Sequence, residues 1–365
     1  MQEVLRAVLA DFGRIGEPVE IEPIKTGHIN QTLRVRFNEP GGPVDYIVQS
    51  VNQFVFKQPK LVMENIVGVC AHLKKRYERA GKPYDRKVLQ FLTARDGNYY
   101  SIQPDGSFWR AYYMVPHSVT HNTVTELRHL ENAAASFGAF CDMLSDYDMS
   151  SLHETIPNFH NTPERFKTFT ETVEINRSGR AKDVREEIDF VLQRESFVST
   201  LTDALARGEL QNRVTHNDTK YNNVLLDIET GESLAVIDLD TIMPGLAAYD
   251  FGDAIRFAGN KAAEDEADLS KVGLSIENFE AFARGYVGAL NGALNSAELS
   301  SLPTGAIMMT LECGLRFLAD YVDGDRYFHC NYPEHNLVRA RNQFALVKDL
   351  ERNYDKMQQI IERFR

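Results

Sequence analysis

The chain has 365 residues, of which 43% are hydrophobic and 25% charged, and a formal net charge of −12. That length is too great for one simple core and suits two domains, or two lobes around a cleft. The acidic balance argues against a nucleic-acid partner, which needs a basic footprint, but not against a nucleotide, whose charge local donors and a divalent cation can offset.

The first residues place Val4, Leu5, Val8, Leu9 and Phe12 at helical spacing with charges between them. This predicts a short amphipathic helix and not a signal peptide, and no apolar run reaches membrane-spanning length. The four cysteines, Cys70, Cys141, Cys313 and Cys330, lie far apart with no C-x-x-C pair. Buried free thiols in a cytoplasmic protein are the expectation. Strands are predicted over 19–24, 31–37 and 45–51, then a helix from about Pro59 to Ala80, then strands over 87–92, 99–103 and 108–115. Asp-Gly turns separate the later strands, and Trp109 reads as core. After Pro116 long helical patterns take over at 125–147, 184–208, 277–291, 303–322 and 335–363, interrupted by a strand-rich insert at 213–240. An N-terminal nucleotide-binding lobe over 1–116 and a C-terminal catalytic and substrate-binding lobe over 117–365 are therefore expected. Clefts between lobes are common small-ligand sites.

Within the insert, "RVTHNDTKYNNVLLDI" (213–228) sets a run of polar side chains directly before an apolar strand. "VLLDI", "ETGE" and "SLAVIDLD" read as strand, turn and strand. Centring the turn on Thr230 and Gly231 places Asn223 opposite Asp238, and opposed residues of an antiparallel pair have β-carbons about 5 Å apart. An amide oxygen and a carboxylate together suit Mg²⁺, which takes few protein ligands and completes its shell with water and phosphates. Asp218 precedes Asn223 by five residues and can accept a hydroxyl proton, while Lys220 can reach a γ-phosphate as a point charge. The polar run thus reads as a catalytic loop held by a rigid strand. "DFG" at 250–252 is set aside as a metal motif, because pairing Asp250 with Asn223 would put the turn inside an apolar strand. Asp250 is expected to cap its helix or brace the loop through backbone N–H groups, and His216 to hydrogen-bond the loop backbone without joining the chemistry.

"HNDTKYNN" matches the H-x-D-x-x-x-x-N catalytic loop of kinase-like phosphotransferases, with "IDLD" supplying the second metal carboxylate. The stretch "RVTHNDTKYNN…AVIDLDTIMPG…YDFGDAIRF" resembles the superfamily that holds aminoglycoside phosphotransferases, choline kinases and small-sugar kinases. "GHIN" (27–30), "FHNTPERF" (159–166), "ECGLRFLADY" (312–321) and "YPEHNLVR" (332–339) resemble more closely the N-acetylhexosamine 1-kinases. The resemblance implies an α+β, bilobal protein-kinase-like fold, with a small antiparallel-sheet N-lobe and a larger, mainly helical C-lobe. It implies ATP- and Mg²⁺-dependent phosphorylation of the anomeric hydroxyl of N-acetylglucosamine or N-acetylgalactosamine. Sugar contacts are implied for Asp218, His28, Arg316, Asp320 and Tyr327. Two departures from the protein-kinase pattern stand out. The first hairpin has a single glycine, Gly27, and Gln49 occupies the place of the phosphate-binding lysine. Nucleotide contacts are expected at Gln49 and, at the connector, Met114.

Several readings stay open. Arg316 and Asp320, at i and i+4, suit a sugar site or a plain intrahelical ion pair. His28 suits a sugar contact or an exposed turn, and Tyr327 a sugar platform or a packed ring. A second reading keeps the enzyme class and changes the acceptor to another sugar, an amino alcohol or an aminoglycoside. A catalytically inactive nucleotide-binding protein is the third reading, supported only by Gln49.

Overall fold

The computed structural model describes residues 2–14, 17–24 and 29–365. The chain divides into two compact units. The first comprises Met1–Ser118, Asp146–Ile156 and Leu234–Met243, and the second Val119–Ser145, Pro157–Ser233 and Pro244–Arg365.

In the first unit, helix α1 (Gln2–Asp11) precedes strands β1 (Glu20–Ile24), β2 (Gln31–Glu39) and β3 (Gly42–Ser50). Helix α2 (Pro59–Arg79) follows, then β4 (Ser101–Ile102) and β5 (Phe108–Tyr113). Among the described residues these five strands form one antiparallel sheet in the order β1-β2-β3-β5-β4. Alternation along the strands decides its faces. Leu33, Val35, Phe37, Tyr46, Val48, Trp109 and Ala111 point to one side and are buried with Leu5, Val8 and Leu9 of α1 and Phe12 just after it. Thr32, Gln49 and Arg110 point to the other side, where Arg110 meets Met63 of α2. The strand expected over 87–92 is reduced to one bridge, Phe91 to Tyr112. One edge of β5 serves both this segment and β4, which pairs with Phe108 and Trp109, so each stays short.

The second unit is mainly helical: α3 (Leu127–Met143), α4 (Thr162–Ile175), α5 (Arg185–Leu192), α6 (Thr200–Ala206), α7 (Ala247–Ala258), α8 (Ile276–Gly288), α9 (Ser296–Asp323), α10 (His335–Arg352) and α11 (Tyr354–Phe364). Two long helical patterns of the sequence break. The 184–208 pattern splits into α5 and α6 across a segment containing Ser196, Val198 and Ser199, all weak helix formers. The 335–363 pattern breaks at Asn353, whose side chain and backbone N–H both turn back onto the Asp349 carbonyl. Helix α9 begins seven residues before the expected start at Pro303. A capping box sets that start, with the Asn295 side chain and Glu298 each satisfying the other's backbone N–H. Gly324, at φ 100°, ends the helix.

Phe251 of α7 stands edge-on to Phe279, Phe282 and Tyr286 of α8, forming the aromatic centre of this unit. Where α7 crosses α9 the contact is backbone to backbone. A Cβ on Gly252 would run into the Gly305 carbonyl, and one on Gly305 into the Ala248 carbonyl. The four cysteines are free. Among the described residues no helix is long and apolar enough to cross a membrane.

Candidate active site

The polar run lies in the second unit, between the strands Arg213–Thr215 and Val224–Asp227. The backbone reverses at Asn217, which has φ 62°. Asparagine tolerates this left-handed state better than most residues. The reversal is held in place by its neighbours. Asp250, in the first turn of α7, accepts the backbone N–H groups of His216 at 2.9 Å and Asn217 at 2.7 Å. The Thr219 hydroxyl bonds the Asp250 carbonyl, and the Asn217 side-chain oxygen accepts the Thr215 hydroxyl at 3.0 Å. Gly245 leaves room here, since a Cβ would strike the Thr215 hydroxyl. Burial pushes the Asp250 carboxyl up to about 6, against the pull of His216 and the two N–H bonds.

Asp218, Lys220 and Asn223 converge. The Lys220 ammonium lies 3.0 Å from the Asp218 carboxylate. Asn223 donates to the Asp218 carbonyl at 2.8 Å and its carboxylate at 3.1 Å. That use of the amide nitrogen turns the Asn223 oxygen the other way, as a hard donor suited to Mg²⁺. Burial alone would raise the Asp218 pKa, but Lys220 and His216 outweigh it and hold the carboxyl below its ordinary range. Asp218 in turn raises Lys220, which stays an ammonium ion. His216 is fully buried, its Nδ1 accepts the Asp218 backbone N–H at 3.2 Å, and its ring meets Phe137 and Phe140 of α3 edge-on.

A second layer surrounds this loop. His160, just before α4, sits between Glu312 of α9, 2.9 Å from Nδ1, and the Asn217 carbonyl, 3.2 Å from Nε2. The Thr162 hydroxyl donates to the other Glu312 oxygen at 2.7 Å. One turn along α9, Arg316 stacks on Phe328 at 5.6 Å. Among the described residues no carboxylate lies within ion-pair distance of Arg316 or of Arg165, which bonds the Phe159 carbonyl. Burial, and then the charge of Arg316, lower the Arg165 pKa, so the two guanidinium groups are neighbours. Asp320 forms no pair with Arg316. Its carboxylate accepts the backbone N–H groups of Arg326, Tyr327 and Phe328 and the Asn336 side chain, at 2.8–2.9 Å. It therefore shapes the loop that presents Tyr327, whose residue is 64% exposed. On α7, Asp253 uses one carboxylate oxygen for Arg256, at 2.9 and 3.0 Å. Its other oxygen is buried without a hydrogen bond among the described residues.

The remaining predicted residues lie in the first unit or outside the described residues. Asp238 stands at φ 59° before a single turn, Leu239–Thr241. Gln49 is opposite Thr32 on β2 and Arg110 on β5, and its amide joins them, at 3.0 Å and 2.9 Å. Arg110 forks onto Asp240, with both side chains 3% exposed, and Asn30 donates to the same carboxylate at 2.6 Å. A cation thus stands on the strand next to position 49, shared between Asp240 and the Gln49 amide. Met114 follows β5, its backbone N–H bonded to the Asp45 carbonyl at 3.0 Å. His28 falls outside the described residues.

Residues 20–283, well over half of the chain, match the phosphotransferase enzyme family. The chain belongs to this family. Solved structures share the protein-kinase-like fold at low identity. An aminopropanol kinase associated with a microcompartment is 15% identical with a TM-score of 0.59, covering 98% of this chain and 99% of that one. A choline/ethanolamine kinase family protein from Mesorhizobium loti is 15% identical with a TM-score of 0.57, covering 99% of each. The GDP complex of aminoglycoside 2'-phosphotransferase-IIIa is 13% identical with a TM-score of 0.59, covering 94% of this chain and 98% of that one.

Sequence reasoning gave no role in this phosphotransferase to His160, Glu312, Asp253 or Arg110. Asp253 lies three residues after Asp250, a spacing that puts both on one helix face, and Arg110 follows from the strand register opposite Gln49. No spacing rule links His160 to Glu312, 152 positions apart.

Proposed function

We propose that this phosphotransferase-family protein is an ATP-dependent small-molecule kinase acting on the anomeric hydroxyl of an N-acetylhexosamine. Asp218 orients the acceptor hydroxyl and takes its proton late, and Lys220 shares the developing phosphoryl charge. A carboxylate held below its ordinary range is a weak base. That suffices, because a loose transition state asks little of the base and an anomeric hydroxyl is more acidic than an ordinary sugar hydroxyl. Mg²⁺, when bound, neutralises phosphate charge. Asn223 and Asp238 offer the oxygen ligands for it, and Gln49 and Met114 belong to the nucleotide side of the proposal. Arg316, Tyr327 and His28 are assigned to the sugar, and Asp320 to the loop carrying Tyr327.

The observation that carries this reading is a pair of neighbouring guanidinium groups beside the layer that surrounds the catalytic loop. Arg316, one turn along α9 from the Glu312 that holds His160 on the catalytic loop, and its neighbour Arg165 on α4 have no carboxylate within ion-pair distance among the described residues. Unpaired guanidinium groups suit hydroxyl and acetamido oxygens and repel an amine. An amino alcohol or aminoglycoside is the second reading, favoured by the unpartnered Asp253 oxygen. Incubating the protein with ATP, Mg²⁺ and a panel of N-acetylhexosamines, other free sugars, amino alcohols and aminoglycosides, with products identified by mass and phosphorus NMR, decides between them. A 1-phosphate of an N-acetylhexosamine is expected. Turnover of amines only would replace the first reading with the second.

A further inference from the structure

Of the residues surrounding the catalytic loop, His160 touches the most critical backbone. Both its ring nitrogens face acceptors: the Glu312 carboxylate at 2.9 Å and the Asn217 carbonyl at 3.2 Å. A neutral imidazole has one N–H and one lone pair, so the neutral ring would set its lone pair against an oxygen. The imidazolium satisfies both contacts. Burial alone would raise Glu312, but His160 itself, then Arg316 one turn away and the Thr162 hydroxyl on its second oxygen, outweigh it and keep it anionic. The Asn217 carbonyl belongs to the peptide unit whose N–H is that of Asp218, and this N–H bonds His216 Nδ1 at 3.2 Å. One peptide plane is therefore gripped at both ends, by the buried His216 and by His160, whose side chain is 10% exposed, directly beside the left-handed Asn217.

We infer that His160 is a positioning residue: as an imidazolium anchored on Glu312, it clamps the Asn217 carbonyl and so sets the orientation of Asp218. The inference concerns the catalytic loop and rests on the phosphotransfer reading only for its kinetic consequence. The groups facing His160 are Glu312 on α9, Asp250, Asp253 and Tyr249 from α7 and Asn217 on the loop, with Arg316 and Arg165 acting on Glu312 beyond it. Burial alone would lower the histidine pKa, but Glu312 outweighs it and the net shift is upward. The sign follows: the clamp is complete below the ordinary histidine value of about 6.5 and is lost as pH rises through the higher folded value.

Residue-resolved ¹⁵N NMR of the histidine rings, over a pH series on the full chain, tests this. His160 should carry protons on both nitrogens at pH 7 and titrate above the ordinary value. The backbone amide signals of Asn217 and Asp218 should move with the same midpoint. Over that range kcat should fall on the order of 10- to 10²-fold, as for a modest displacement of a reacting group, with the acceptor KM nearly unchanged. His160→Gln, which keeps one N–H for the Asn217 carbonyl, should remove the alkaline fall and leave a reduced, flat kcat. Should His160 variants fail to fold, Glu312→Gln serves instead, lowering the His160 midpoint and the alkaline limb together. A neutral His160 at pH 7, with the proton on Glu312, overturns the inference, as does an Asp218 amide indifferent to its titration. If the wild-type protein phosphorylates no acceptor, the kinase reading fails, while the NMR midpoints still decide the role of His160.

Discussion

Two carboxylates only 32 positions apart in the chain are pushed in opposite directions by their surroundings, and each direction makes a prediction. Asp218 is held low by Lys220 and His216, so it stays ionised well below neutrality. Asp218→Asn keeps the shape but removes charge and basicity, and kcat should fall at least 10²-fold, as general bases contribute about 10²–10⁴-fold. Nucleotide affinity, read by calorimetry, should change far less. Asp250 is pushed up to about 6 by burial, and it holds the loop through the His216 and Asn217 N–H groups. Its folded pKa exceeds its unfolded value, so its contribution to stability is full below about pH 4 and lost as pH rises through about 6. Activity should run the other way, since protonation weakens its grip on the two N–H groups. An acid limb in kcat near pH 6, absent in a uniformly slow Asp250→Asn variant, is expected. A single acid limb below the ordinary carboxylate range would assign the acid dependence to Asp218 alone. Arg316→Ala should mainly raise the acceptor KM, because Arg316 is assigned to contacts made in ground and transition states alike.

At the scale of elements, the crossing of α7 and α9 decides where the loop can sit. Gly252 is two residues after Asp250, about 200° around the helix, so α7 meets α9 on roughly the opposite side from the carboxylate that holds the catalytic loop. Gly252→Ala or Gly305→Ala forces two backbones apart, where overpacking costs about 1–3 kcal/mol or more. Chemical denaturation should show that loss for either variant, with a fall in kcat in the surviving folded protein. Unchanged stability would mean that the helices do not meet through these glycines. The start of α9 is a smaller lever. Asn295→Ala removes one half of a capping box and should cost about 1 kcal/mol.

At the scale of the whole molecule, the first unit is assembled from three stretches of chain. Asn65 of α2 is 1% exposed, and it bonds the His153 backbone N–H and carbonyl and the Ile242 carbonyl, at 2.8–2.9 Å. Arg110 needs Asp240. Residues 1–118 alone therefore leave a buried guanidinium and a buried amide without their partners. Losing one partner of a buried ion pair costs about 3–5 kcal/mol, against a whole-domain stability of about 5–15 kcal/mol. A fragment ending at Ser118 should show a broad, non-cooperative melt by circular dichroism and poorly dispersed amide signals. A cooperative transition would mean that the later stretches are not needed. In the full chain, Asp240→Ala should destabilise strongly, and Arg110→Met with Asp240→Leu should recover most of the loss by removing both charges.

The amino-acid sequence by itself determined the alternating strands β1 to β3 and β5, the helix after Pro59 and the spacing of Asp218, Lys220 and Asn223. These follow from local periodicity and from residues a few positions apart, which the backbone brings together whatever the rest of the chain does. It also marked Asp250 as a cap of its own helix or a brace for the loop, because a carboxylate opening a helix has N–H groups within reach. Only the tertiary structure decided that Asp320 turns to the 326–328 backbone instead of Arg316, since a loop amide competes for a carboxylate as well as an i,i+4 neighbour does. It alone joined His160 to Glu312 and Arg110 to Asp240, 152 and 130 positions apart. Those pairs exist because burying a charge demands a partner, and nothing in local periodicity says which distant residue the fold will deliver.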